Sequence, residues 1–178
     1  MKIIGGRLSG RRFAAPKGHK THPMAERVRG AMFNILGDIG GWKVFDAYAG
    51  SGALAFEAAS RGATEITATE IDYSAFKVLK QNVLVLDLGG SVNVHRANCQ
   101  SWLRQQPQNF DLILLDPPYD KLNLQAVENF AQHLNVGGIM VLSHTGRTEV
   151  PRVHGVVVVE TRSYGDAVLT FYRLGAQD

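Results

Sequence analysis

The sequence predicts an α/β protein: one doubly wound, mainly parallel seven-stranded sheet with a reversed C-terminal β-hairpin, preceded by a small basic hairpin-and-helix extension. Three observations predict it. From Trp42 onward, short β-rich runs alternate strictly with helical patterns, which argues for parallel strands covered by helices on both faces. The last two β-rich runs, Val156 to Arg162 and Ala167 to Leu174, are joined only by Ser163-Tyr164-Gly165-Asp166, which is hairpin chemistry. The first 30 residues hold eight Lys and Arg side chains against the single Glu26, a surplus of +7, whereas the other 148 hold 11 basic and 15 acidic ones, a balance of −4. This polarity implies a polyanionic partner for the amino end.

In chain order, Lys2 to Gly6 and Arg11 to Ala15 flank the turn-rich Arg7-Leu8-Ser9-Gly10 and read as a hairpin. Pro23 opens a helix over Met24 to Leu36, with Met24, Val28, Ala31, Met32, Ile35 and Leu36 on one apolar stripe and Gly37 as its stop. Residues 1 to 37 are thus an extension of a single domain spanning 1 to 178. Strands follow at Lys43 to Tyr48, Glu65 to Ile71, Val92 to Arg96, Phe110 to Leu115 and Gly138 to Ser143. Helices lie between them at Ala53 to Arg61, Tyr73 to Asp87, Gln100 to Gln105 and Leu124 to Leu134.

At 178 residues and 45% hydrophobic content the chain builds one core. The lone Cys99 excludes an internal disulfide and points to a reducing cytoplasm. Met1 to Gly10 has no apolar stretch of signal-peptide type, and no run approaches transmembrane length, so a cytoplasmic protein without membrane contact is expected. His95, His133 and His154 share no ligand spacing, so no metal is expected. No long heptad calls for a partner, which favours a monomer.

Chemistry concentrates where strands end. Leu112 to Leu115 is a continuous apolar run suited to a central strand, and Pro117-Pro118 must stop it because neither residue can donate to a ladder. Asp116 and Tyr119 therefore emerge beyond the strand's carboxyl end, where open α/β sheets place ligands. Asp46-Ala47-Tyr48-Ala49-Gly50-Ser51-Gly52 leaves the first strand and opens a helix; with Ala55 it satisfies G-x-G-x-x-A, so a dinucleotide is also permitted. Glu70 ends the second strand, where an acid either accepts ribose hydroxyls or is simply an exposed strand-end charge. Asn98 offers both a donor and an acceptor to an adenine edge, and equally suits the N-cap of the following helix. Cys99 beside it reads as packing.

Asp46 to Ala53, Glu70, Asp116-Pro-Pro-Tyr119 and Tyr164-Gly-Asp-Ala-Val-Leu-Thr-Phe-Tyr-Arg173, in this order, resemble the RsmD family of bacterial 16S rRNA guanine-N2 methyltransferases. The similarity extends to Ile3 to Arg12 and to Glu26-Arg27-Val28-Arg29 with Ala31 to Leu36. The resemblance implies a class I, Rossmann-like methyltransferase fold and S-adenosylmethionine as cofactor. It further implies a guanine of 16S rRNA, in a partly assembled small subunit, as substrate during ribosome maturation. Asp46, Tyr48, Ala49, Gly50, Ser51, Gly52, Glu70, Ile71, Asn98, Cys99 and Asp116 would then face the cofactor. Asp116, Pro117, Pro118 and Tyr119 would hold the acceptor base. Lys2, Arg7, Arg11, Arg12, Lys17, Lys20, His22, Arg27 and Arg29 would face RNA. Arg27 and Arg29 cannot both line one groove, because two residues along a helix turn by roughly 200°. The chain departs from the family pattern at His22, Met24, Gly30, Asn98 and Ser143.

Three rival readings follow from the same residues. Asp-Pro-Pro-Tyr also suits amino-methylation of DNA adenine or cytosine or of protein glutamine, although 178 residues leave no sizeable insertion for reading duplex sequence. An NAD-dependent oxidoreductase fits the glycine loop but lacks a Tyr-x-x-x-Lys pair. A non-catalytic RNA-binding assembly factor fits the basic amino end.

Overall fold

The computed structural model describes residues 1–16, 24–118, 123–146 and 150–175. In chain order the elements are α1 (Glu26–Leu36), β1 (Lys43–Asp46), α2 (Ala53–Ser60), β2 (Glu65–Glu70), α3 (Tyr73–Val85) and β3 (Val92–Arg96). They continue with α4 (Cys99–Gln105), β4 (Phe110–Leu115), α5 (Leu124–Ala131), β5 (Leu134–Thr145), β6 (Val156–Tyr164) and β7 (Ala167–Leu174). The sheet runs β3-β2-β1-β4-β5-β7-β6. Strands β1 to β5 pair in parallel, and β7 inserts antiparallel between β5 and β6. This is the class I methyltransferase architecture, with the expected reversed hairpin at its end. No helix among the described residues is long and apolar enough to cross a membrane.

The alternation of side chains along each strand divides the interior in two. Val44, Leu112 and Leu114 pack with α1, α2 and α3, whereas Phe45, Ile113 and Leu115 pack with α4 and α5. Phe45 stacks with both Trp102 and Phe110, at centroid separations of 5.5 and 5.1 Å. All eight residues of α2 are buried, because the helix is covered by the sheet on one side and by the N-terminal segment on the other.

That segment forms only a minimal ribbon, not two full strands. Lys2 and Arg12 make a single antiparallel bridge, supported by Ile3 N–H to Arg11 O and Phe13 N–H to Met1 O, both at 3.0 Å. It stays in place through its side chains: Ile3, Leu8 and Phe13 join the core of α1, α2 and α3. Of the expected α1 stripe, Val28 and Met32 are buried and Met24 and Leu36 pack against the core, and the docked segment widens the buried face. Val28, Arg29, Gly30, Met32 and Phe33 are buried, and Ile35 is exposed. A Cβ at Gly30 would lie 3.2 Å from the Ile4 side chain, so the close approach of segment and helix favours glycine there.

Burial of Arg29 corrects one expectation. It has no accessible surface for RNA; its Nε lies 3.5 Å from the Glu57 carboxylate, and its Nη2 donates to Lys2 O at 2.6 Å. Glu57 also accepts from Ile4 N–H at 2.9 Å, Gly5 N–H at 2.8 Å and Arg61 Nε at 3.0 Å. One carboxylate inside an otherwise apolar helix thus ties the N-terminal segment to α1 and α2. The rotation of two residues sends Arg27 outward, where it lines a groove with Lys2, Ser9 and Glu26.

Candidate active site

The parallel order brings the carboxyl ends of β1, β2, β4 and β5 to one rim. Asp46 closes β1 level with Ala68 of β2 and Leu114 of β4, so Glu70 and Asp116 project just beyond it on either side. Leu115 pairs with Leu142, which brings Ser143 alongside Asp116. Three strand-end carboxylates thus converge, although they lie far apart in the chain. Like charges gathered in a dry site resist ionisation.

Their surroundings sort them. Asp46 is fully buried; one oxygen accepts from Ala55 N–H at 3.1 Å, and Oδ1 has no hydrogen-bond partner among the described residues. Burial pushes its carboxyl up to about 7, with the charges of Asp116 and Glu70 adding to the effect. Asp116 is half-buried, and desolvation pushes it up to about 6 against the opposing hydrogen bond from the Ser143 side chain. Glu70 is held differently. Its two oxygens accept from Gly50 N–H at 2.8 Å and Asp72 N–H at 2.7 Å, tying the glycine loop to the end of β2.

The loop is shaped for close approach. Gly52 is the N-cap of α2 at φ 91°, and a Cβ there would overlap the Phe56 ring and Leu79. A Cβ at Gly50 would meet nothing within 4 Å, so the backbone there borders open space. Ser51 and Ala49 are buried, and the Ser51 hydroxyl reaches the Met1 sulfur at 3.2 Å. Tyr48 is half-buried and hydrogen-bonded to Cys99, which is buried at the start of α4; desolvation raises both groups' affinity for their protons. Ile71 is 65% exposed beside Glu70. An exposed isoleucine on a site rim suits a flat apolar ligand.

The Asn98 side chain is exposed, and its oxygen caps α4 by accepting from Ser101 N–H at 3.1 Å. Its amide hydrogens are not used by that bond. Pro117 is buried and Pro118 exposed, so the double proline forms a rigid corner at the rim. Of the basic residues expected to face RNA, Lys2, Arg7, Arg11, Arg12 and Arg27 are exposed. Arg11 also donates to Val85 O and Leu86 O, at 2.8 and 3.1 Å, at the carboxyl end of α3. Tyr119, Lys17, Lys20 and His22 lie outside the described residues.

Three residues outside the predicted site set organise this site and its support. Asn82 is buried on α3; its oxygen accepts from Ala14 N–H at 3.0 Å, and its nitrogen donates to Ala14 O and Ser51 O at 2.9 and 3.0 Å. It joins the N-terminal segment to the glycine loop. Ser143, a departure from the family pattern, hydrogen-bonds Asp116 from the end of β5. Glu57 carried a visible signal, a charge in the middle of Ala-Leu-Ala-Phe-Glu-Ala-Ala-Ser.

The family profile described as "Conserved hypothetical protein 95" matches residues 1–173. The chain belongs to this RsmD-like family. Bacillus subtilis YlbH, provisionally described as an rRNA methyltransferase, is 30% identical over 97% of this chain and 98% of its own length. Ribosomal RNA small subunit methyltransferase D of Escherichia coli is 33% identical over 74% of this chain and 67% of its own. Among solved structures, Escherichia coli yhhF, provisionally described as a methyltransferase, superposes with a TM-score of 0.88 at 28% identity, covering 99% of each chain. That superposition takes in both the sheet and the N-terminal segment.

Proposed function

We propose that the protein methylates the exocyclic N2 amine of a guanine in 16S rRNA, with S-adenosylmethionine as donor, during maturation of the small subunit. The observation that carries this reading is the convergence of Asp116-Pro117-Pro118 with the glycine loop and Glu70 on one rim. The rRNA methyltransferase descriptions of full-length and partial relatives favour RNA as the acceptor.

The residues fit the cofactor. The buried Asp46 Oδ1 lacks a described partner and suits a cationic ammonium group, which would favour the ionised carboxylate. Glu70 uses one bond on each oxygen and retains lone pairs for ribose hydroxyls. Ile71 and Asn98 suit the face and edge of an adenine, and the open side of Gly50 leaves room for close contact. S-adenosylmethionine supplies an electrophilic methyl group on a sulfonium sulfur.

The chain's own residues address the acceptor, a weak nucleophile because its lone pair is delocalised into the ring. Asp116 and the Pro117 carbonyl accept one amine hydrogen each, which holds the nitrogen with its lone pair presented for displacement. The family resemblance gives Tyr119, outside the described residues, the role of stacking on the base. Asp116 then receives the proton released when the methylated nitrogen becomes acidic, a role suited to a carboxyl that burial has raised to about 6. The half-buried rim requires the base to be unpaired or flipped from its stack. Exposed Lys2, Arg7, Arg12 and Arg27 contact phosphates, giving affinity without base selectivity.

The test incubates the protein with labelled S-adenosylmethionine and 16S rRNA, naked and in partly assembled subunits, and maps the modified nucleotide. Label on a guanine N2 is the expected result. Transfer only to DNA or protein, or none to RNA in either form, would overturn the reading.

A further inference from the structure

We propose that the exposed face of α3, with Arg11 at its carboxyl end and Tyr73 and Arg96 at its amino end, is a second phosphate-binding track for the RNA substrate. The inference rests on the RNA reading given above and extends it to a surface outside the basic amino end of the sequence. From residue 31 onward the chain is net acidic, yet Tyr73–Val85 contains Lys77 and Lys80 and no acidic residue. Three residues apart on a helix, the two lysines share one face. Both are exposed, and neither has an ion pair with a described residue.

Solvated lysines alone are ordinary; the track is defined by what stands at each end. At the carboxyl end, Arg11 is fastened to the Val85 and Leu86 carbonyls, which holds the positive N-terminal segment against the helix beyond the exposed Leu84 and Val85. Asn82 repeats the attachment one turn earlier through both backbone groups of Ala14. At the amino end, the 54% exposed Tyr73 ring carries the Lys77 ammonium 5.2 Å and the Arg96 guanidinium 5.0 Å from its centroid. Such contacts hold cations in place without neutralising them. Two exposed acids flank the helix, Asp72 as the N-cap, accepting from Ala75 N–H, and Asp87 beyond Leu86, and the lysines lie between them.

Tyr73 follows Glu70 by three residues, so the track ends on the rim that holds Asp116 and the glycine loop. Its length from Tyr73 to Val85 is roughly 18 Å at the rise of an α-helix. Exposed lysines without ion pairs to described residues, on a helix that leads to the rim, match a phosphate backbone whose base is delivered there. Its charge also explains how an acidic body accepts a polyanion close to three carboxylates.

Binding of a 16S rRNA fragment is measured by fluorescence anisotropy between about 50 and about 200 mM salt for wild type, K77Q/K80Q and K77R/K80R. Loss of two phosphate contacts lowers the slope of log affinity against log salt by about 1.4 for single-stranded RNA. K77Q/K80Q is expected to show that change and weaker binding at low salt, K77R/K80R to retain wild-type behaviour, and both to bind S-adenosylmethionine as wild type does. Wild-type affinity and slope in K77Q/K80Q would overturn the track while leaving the rRNA reading intact. Absence of salt-dependent RNA binding and of RNA methylation in the wild type would remove both.

Discussion

Substituting Glu57 by Ala should destabilise the protein far more than substituting its buried ion-pair partner Arg29 by Met. Glu57 is fully buried and accepts three hydrogen bonds between 2.8 and 3.0 Å, two of them from backbone amides of Ile4 and Gly5. Removing the carboxylate leaves those amides without an acceptor and the Arg29 charge uncompensated, a loss of roughly 3–5 kcal/mol. For a chain of this size that lowers the melting temperature by about 6–20 °C. Arg29 stands otherwise. Its Nε contact with Glu57 is long at 3.5 Å, and neither Nε nor Nη1 makes a hydrogen bond. Met at this site removes a poorly solvated charge at the expense of the Nη2 bond to Lys2 O and leaves Glu57 paired with Arg61 and two amides, so the change should stay within about 1.5 kcal/mol of wild type. Urea unfolding followed by circular dichroism measures both, and proteolysis near residue 16 reports whether the N-terminal segment has detached. Equal losses in the two variants would refute the assignment of Glu57 as the hub.

The remaining predictions concern the rim and α4. Methyl transfer should rise with pH through about 6 as Asp116 becomes an acceptor, and Ser143→Ala, which removes the bond that lowers this group, should move that limb upward. A pH–rate profile unchanged in Ser143→Ala would separate Ser143 from the chemistry. Asp46 binds its proton more tightly folded than unfolded, so its contribution to stability is complete below pH 4 and lost as pH rises through about 7. The loss is at most about 4 kcal/mol, so Asp46→Asn should flatten the decline in unfolding free energy between about pH 4 and about pH 7 while weakening cofactor binding. Asn98→Ala should cost about 1 kcal/mol through its cap on α4, read from chemical denaturation. A larger effect on the KM for S-adenosylmethionine than on stability would show that its amide also meets the cofactor.

Much of the fold could be read in the chain because strand ends are marked locally. The apolar run before Pro117-Pro118 gives β4 its observed bounds, and of the expected connector Ser163 to Asp166 only Gly165-Asp166 turns the chain, Ser163 and Tyr164 extending β6 in the reversed pair. Helix faces were less legible. The α1 stripe depended on which surface the N-terminal segment covers, and periodicity cannot report a neighbour 20 residues away. Likewise, the three strand-end carboxylates were identifiable as candidates, but their ionisation was not. Asp46 differs from Glu70 because burial leaves one oxygen without a described partner, whereas Glu70 meets two amides.

By itself the sequence determined the alternation of strands and helices, the glycine loop, the carboxylates at the strand ends and the basic amino terminus. Each follows from backbone propensity or charge carried in adjacent residues. Only the tertiary structure decided which charges are available to a partner. Arg29, written among the N-terminal cations, is enclosed against Glu57, while Lys77 and Lys80, from a net acidic body, are exposed on the helix whose carboxyl end Arg11 holds. The physical reason is that a charge's role depends on its burial and on the groups opposite it, and both are fixed by packing between elements distant in the chain.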